Sequence, residues 1–69
     1  MKLSNEERSL IDLVARSRKN GAEWVEVVPC YWNWLEEFPH KELIELKPNP
    51  NGGGLVRLTY EGVIVHKWL

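Results

Sequence analysis

The 69-residue sequence has little of what specifies chemistry or export. Cys30 is its single cysteine, so an intrachain disulfide is impossible and an intracellular location is the default expectation. No apolar run approaches the roughly 20 residues that cross a bilayer. Met1 leads into a polar segment instead of the apolar stretch of a signal peptide. These absences predict a cytoplasmic protein that makes no membrane contact.

Catalytic and metal-binding patterns are also missing. Cys30, His40 and His66 stand in no metal-ligand spacing. The three glycines at 52–54 precede Leu55-Val56, whereas a phosphate-binding loop would continue with Lys-Ser or Lys-Thr. A chain this short has a thin core and little room for a deep pocket. We therefore expect no enzyme activity, no catalytic residue, no metal, no cofactor and no small-molecule substrate.

Four tryptophans in a short chain are the unusual feature of the composition. Hydrophobic residues make up 43% of the chain and charged residues 28%, as in a folded globular protein. Large aromatic side chains are the expected source of stability where no disulfide is available. The composition predicts one small domain over residues 1–69.

Residues 4–19 are predicted to form the first helix. Ser4 and Glu7 fit the Ser-x-x-Glu capping box, and Asn20-Gly21 supplies a stop signal. Helical spacing predicts one buried face. That face is expected to consist of Leu10, Leu13, Val14 and Ser17, with Ile11 and Ala15 beside them.

The middle of the chain combines an ambiguous segment with an aromatic helix. Residues 22–28 fit a short strand because of their β-branched content, or one to two helical turns because Ala22 and Glu23 follow Gly21. Pro29 ends this segment in either case. A second helix is predicted over 30–38, closed by Pro39.

Helical geometry separates the aromatic residues of this second helix. At 100° per residue, one side is expected to face the core and consists of Tyr31, Trp34, Leu35 and Phe38. The opposite side consists of Trp32, Asn33, Glu36 and Glu37. An exposed Trp32 would anchor an interface, with Asn33 and Glu36, to a partner protein or a second copy of the chain. The alternatives are that Trp32 packs under Trp24 or Trp68, both expected in the core, or that it stacks on an unpaired base.

The C-terminal half predicts a β-hairpin and one further element. Residues 42–47 and 55–60 are expected to pair, joined by the Pro/Asn/Gly-rich loop 48–54, with Val56, Leu58 and Tyr60 on one side. Residues 61–69 fit either a strand or a helix, and the helix is preferred. As a helix, they would align Ile64, Val65, Trp68 and Leu69 on one face.

Two phrases in this half resemble a known family. Trp34-Leu35-Glu36-Glu37 followed by Leu43-Ile44-Glu45-Leu46-Lys47-Pro48 is similar to the recognition helix and first wing strand of winged helix-turn-helix domains. Leu55 to Gly62 is similar to the closing strand and Leu-Thr-x-x-Gly turn of that family. The resemblance covers about residues 34–62. It implies an α+β, winged-helix-like fold made of an N-terminal helix, an aromatic helix, a β-hairpin wing and a C-terminal helix or strand.

The family resemblance also implies double-stranded DNA as a partner and a role in transcription regulation. The candidate contacts are Arg16, Arg18, Lys19, Asn33, Lys47 and Arg57. One departure from the family is the short interval from Gly21 to Pro39, which holds two helices only if the first is reduced to residues 22–28.

Charge distribution tests the DNA-binding prediction. The net charge of −1 divides into +2 for residues 1–19, −5 for 20–46 and +2 for 47–69. The expected recognition helix lies in the acidic segment, which opposes binding to phosphates. Two predictions follow from these residues. The chain is a small DNA-binding regulator or, alternatively, a protein-interaction or homodimerisation module on the same scaffold without nucleic-acid binding.

Overall fold

The computed structural model describes residues 2–69 and has a Cα radius of gyration of 11.3 Å. In chain order the elements are α1 (Asn5–Lys19), β1 (Val25–Val27), α2 (Pro29–Glu36), a 3₁₀ turn (Lys41–Leu43), β2 (Ile44–Pro48), β3 (Gly54–Leu58) and α3 (Tyr60–His66). The predicted α+β class is confirmed. No helix within residues 2–69 combines the length and the apolar character needed to cross a membrane.

Helix α1 begins at the predicted capping box. The Ser4 hydroxyl oxygen accepts from the Glu7 amide at 3.2 Å, and the Glu7 carboxylate accepts from the Ser4 amide at 2.8 Å. Its buried side chains are Leu10, Ile11, Val14 and Ala15. Leu13 was expected on the buried face, and that prediction is wrong because its side chain is 55% exposed.

The sheet is antiparallel with strand order β1-β3-β2. The ambiguous segment 22–28 contains a strand, β1, which pairs Val25 with Val56 and Val27 with Gly54. The shortened helix that the winged-helix resemblance would need at 22–28 is therefore not formed. In the hairpin, β2 and β3 pair Ile44 with Leu58 and Lys47 with Leu55.

The core lies between one face of the sheet and the helices. Alternation along β3 turns Val56 and Leu58 inward and Arg57 outward. The buried hydrophobic residues are Leu10, Ile11, Val14, Ala15, Val27, Trp32, Leu35, Phe38, Leu43, Ile44, Val56 and Leu58. Tyr60, predicted to share the inward side of β3, instead begins α3 and is exposed.

Helix α3 confirms the preferred interpretation of the C-terminal segment. The Thr59 hydroxyl accepts from the Gly62 amide at 3.1 Å and donates to the Glu42 carbonyl at 2.6 Å, which fixes the helix start on the 3₁₀ turn. Val63 and Val65 pack against the core. Of the predicted apolar face, only Val65 is placed correctly: Ile64, Trp68 and Leu69 are exposed, and the helix ends at His66, before the last two of them.

Candidate functional site

Trp32 belongs to the core, so the prediction that it is exposed is wrong. Its side chain is only 8% exposed. At 100° per residue, Trp32 lies about 60° from Leu35 and about 120° from Phe38, at the border of the core-facing side of α2, and a second layer of the protein covers it there. A ring enclosed in this way cannot anchor an interface with Asn33 and Glu36, which remain exposed on α2.

The covering layer is the glycine-rich end of the hairpin. A Cβ on Gly54 would lie 2.7 Å from Cη2 of Trp32, and a Cβ on Gly52 would lie 3.3 Å from Cγ of Pro29. The loop is closed by a hydrogen bond from the Asn49 amide to the Gly53 carbonyl at 2.9 Å. The segment predicted to be a wing tip therefore folds against the start of α2. The alternative of burial under Trp24 or Trp68 is right about burial and wrong about what covers the ring.

The other tryptophans lie in three different environments. Trp34 is half-buried and packs between Tyr31, whose ring is tilted at a centroid distance of 5.1 Å, and Phe38, which meets it edge-on at 5.5 Å. Trp24 is half-buried beside Arg57. Trp68 is 85% exposed, which corrects its expected place in the core.

Arg57, a candidate phosphate contact, is held by carboxylates on the outward face of the sheet. Its guanidinium nitrogens lie 2.8 Å from Glu23 and 2.8 Å from Glu45. Its guanidinium carbon lies 4.8 Å from the centroid of the Trp24 ring, over the ring. Two carboxylates more than neutralise this cation, so it offers little attraction to a phosphate.

Two of the remaining candidate DNA contacts, Arg18 and Lys47, lie near Arg57, but the carboxylates of Glu23 and Glu45 lie among them. Arg16 is paired with Asp12 in α1. Lys47 lies 5.9 Å from the Trp24 ring centroid. Arg18 lines a shallow cleft with Arg57, but that cleft also contains two carboxylates, Glu23 and Glu45. Lys19 is exposed at the end of α1, and α2 carries no basic residue in its last turn.

An apolar groove of about 440 Å³ opens beside β1, between α1 and the start of α2. Its floor is formed by Leu10, Val27 and Val56, which belong to the core. Its rim is formed by Leu13, Val28 and Tyr31, which are 55%, 57% and 41% exposed. Tyr31 was expected to face the core, and its exposure corrects that prediction. Large apolar side chains gathered around a groove are typical of an interaction surface.

The groove lining carries one charged side chain, one thiol and one phenol. Glu26 is the only charged residue that lines it, and within residues 2–69 Glu26 makes no ion pair. Cys30 is exposed on the same lining. Desolvation, with a smaller contribution from the charge of Glu6, raises the pKa of the Tyr31 phenol.

Sequence reasoning missed this groove, although α1 contained a signal for it. At 100° per residue, the apolar positions from Leu10 to Ala15 cover an arc of about 200° on the helix. One packing contact with a sheet does not cover so wide an arc. The excess is on the side of Leu13, which borders the groove.

A second missed relationship joins the two ends of the chain. The His66 Nε2 lies 3.1 Å from Asp12 Oδ1, although the residues are 54 positions apart. Hydrogen bonds from His66 and then from Arg16 hold the pKa of Asp12 below its usual value. Within the described residues, no three His, Cys, Asp or Glu side chains gather closely enough to hold a metal ion.

Comparison of the chain with protein families, with curated proteins and with solved structures finds no match. The resemblance to winged helix-turn-helix domains therefore stays a prediction, and the functional argument depends on the geometry of this chain.

Proposed function

We propose that this chain is a protein-interaction module that binds a segment of another protein in the groove beside β1. The observation that carries the proposal is the exposure of Leu13, Val28 and Tyr31 around one apolar groove. These side chains come from α1, from the residue before α2 and from α2 itself. Because these exposed side chains cluster around one groove, a shared binding site explains their exposure better than three independent packing defects do.

The binding free energy available to an occupant of the groove depends on the apolar area that it removes from water. Each Å² of apolar surface is worth about 25 cal/mol, and complete burial of a Val, Leu or Phe side chain about 1.5–3 kcal/mol. Three partly exposed rim residues together supply several kcal/mol before the cost of association is subtracted. That total suits a reversible interaction with a short segment.

DNA binding is the rival proposal, and the charges favour it less. Arg57 and Arg16 are engaged by carboxylates, and the hairpin loop packs on α2. Arg18, Lys19 and Lys47 make no ion pair within residues 2–69, and they are too few for strong phosphate binding. Fluorescence anisotropy with a labelled random duplex at low salt tests this rival. We expect no binding at about 10 µM protein, and binding lost in Arg18→Ala or Lys47→Ala would favour DNA instead.

Selection from a random peptide display library tests the proposed function. Enriched peptides would be titrated against the wild-type chain, Leu13→Gln and Trp68→Ala. Gln keeps a good helix former at position 13 and removes one of the three apolar side chains of the rim. Trp68→Ala is the matched control because it removes an exposed apolar ring that does not line the groove.

The proposal predicts about tenfold weaker peptide binding to Leu13→Gln, since a buried leucine contributes more than 1.4 kcal/mol. Trp68→Ala should bind with the wild-type affinity. A library that yields no binders, or binders for which Leu13→Gln makes no difference, would contradict the proposed function.

A further inference from the structure

We infer, on the basis of the proposed function, that the groove accepts an extended segment that adds as an antiparallel strand to the open edge of β1. The segment alternates apolar side chains, which enter the groove, with lysine or arginine side chains, which face Glu26. Its partner chemistry is therefore a basic, amphipathic β-strand.

The backbone of β1 is suited to such pairing. With strand order β1-β3-β2, one side of β1 pairs with β3 and the other has no strand neighbour. The Val27 carbonyl faces Gly53 and the hairpin, on the β3 side. Since backbone groups alternate in direction along an antiparallel strand, the amide and carbonyl of Glu26 point toward the open edge. These two groups can exchange both hydrogen bonds with one residue of an added strand.

The side chains on the two faces of β1 specify the alternation. Val25 and Val27 point inward and line the groove, whereas the exposed Glu26 side chain lies on the outward face and Glu26 borders the groove at the strand edge. The residue opposite Glu26 in an added strand would also point outward, and its two neighbours would point inward. Inward neighbours would reach the rim of Leu13 and Val28, which calls for apolar side chains.

The charge of Glu26 determines which residue type is favoured opposite it in the added strand. Glu26 forms no ion pair within residues 2–69, although Lys47 lines the same shallow cleft, and nearby Glu23 already binds Arg57. A basic residue directly opposite Glu26 would form a favourable cross-strand pair. A second copy of this chain, paired through β1 about its central residue, would instead place two Glu26 carboxylates opposite each other, which is destabilising.

The other edge of the sheet is less suited to strand addition. Strand β2 ends in Lys47 and Pro48, residue types that block edge pairing. Neither residue borders the apolar groove beside β1. The inference therefore concerns β1 alone.

The probe is the pentapeptide acetyl-Lys-Ile-Lys-Ile-Lys-amide, titrated while amide NMR shifts of residues 25–28 are followed. Two control peptides share its length: one has Glu at every Lys position, and the other carries an N-methyl group on the central Lys. The chain variants are Glu26→Lys and Leu13→Gln. Sedimentation of the wild-type chain over a range of concentrations measures self-association.

Strand addition predicts about fivefold weaker binding of the N-methylated peptide, because one backbone hydrogen bond is lost. The wild-type chain should prefer the Lys peptide to the Glu peptide by about threefold, and Glu26→Lys should reverse that preference. Equal binding of the N-methylated peptide, or a preference indifferent to position 26, overturns strand addition. A chain that sediments as a dimer dissociated by the peptide also overturns it, since the occupant is then a second copy.

The two proposals fail in different ways. If library peptides depend on Leu13 but are insensitive to backbone methylation and to position 26, the groove binds a partner in another conformation and only the strand inference falls. If no peptide depends on Leu13, both proposals fall.

Discussion

Gly54 and Trp32 are in direct contact: a Cβ on Gly54 would lie only 2.7 Å from Cη2 of the indole ring. The glycine at the start of β3 therefore leaves the space that the tryptophan fills. This contact extends the buried side of α2, with Leu35 toward the main core and Trp32, next to it on the helix, toward the hairpin. It also fixes the hairpin loop on the start of α2, which borders the groove.

Gly54→Ala should destabilise the fold by about 1–3 kcal/mol, because the added methyl group overpacks against the ring and against the Lys47 carbonyl. Urea denaturation followed by circular dichroism measures this cost. Repeating the substitution in a Trp32→Phe background removes Cη2, so part of the cost should disappear. A coupling energy of about 0.5 kcal/mol or more is expected, and strictly additive costs would contradict the contact.

Trp32→Ala and Trp68→Ala should differ sharply. Loss of the buried ring costs about 3–5 kcal/mol, which is comparable to the whole stability of a chain this short. Loss of the 85% exposed ring of Trp68 should change stability by no more than about 0.5 kcal/mol. Thermal and urea unfolding of both variants measure the difference. Equal costs would show that Trp32 is not a core residue.

Asp12 should make the fold sensitive to acid. Its pKa is lowered by hydrogen bonds from His66 and Arg16, so its stabilising contribution is present above its unfolded pKa, near 3.8, and is lost as the pH falls through the lower folded value. As the pH falls below about 4, wild-type stability should therefore fall more steeply than that of Asp12→Asn. Glu61→Gln is the control, because Glu61 forms no ion pair within residues 2–69. If the free energy of unfolding falls equally steeply with decreasing pH in the wild-type chain and in Asp12→Asn, Asp12 does not cause the acid sensitivity.

Local signals in the sequence predicted most of the fold. The capping box at Ser4, the turn residues at 48–54 and the Leu-Thr-x-x-Gly phrase each act within a few residues, and α1, the hairpin and α3 form near those signals. The strand β1 remained ambiguous because three residues carry too weak a propensity. Its pairing with β3 depends on residues about 30 positions away, which local patterns do not reveal.

The candidate site was much harder to predict, for physical reasons. Helical periodicity places Trp32 at the border of the core-facing side of α2, about 60° from Leu35, but does not reveal that the hairpin covers this border, so Trp32 was wrongly expected to be exposed. Cross-strand ion pairs such as Arg57 with Glu45 depend on sheet register, which the charge count cannot express. The groove was missed because it exists only where α1, β1 and α2 meet, and Leu13 looked like a core residue in its own helix.

Protection of Cys30 from alkylation is the most direct measurement of the central claim, that the groove beside β1 is a binding site. Cys30 is the only cysteine of the chain, is exposed and lines the groove. The rate of its reaction with iodoacetamide would be measured alone and with a saturating library-selected peptide, in the wild-type chain and in Leu13→Gln. We expect the peptide to slow the alkylation of Cys30 in the wild-type chain. At the same peptide concentration, the alkylation rate of Leu13→Gln should be unchanged. An unchanged alkylation rate with the wild-type chain saturated would place the bound peptide elsewhere and contradict the account.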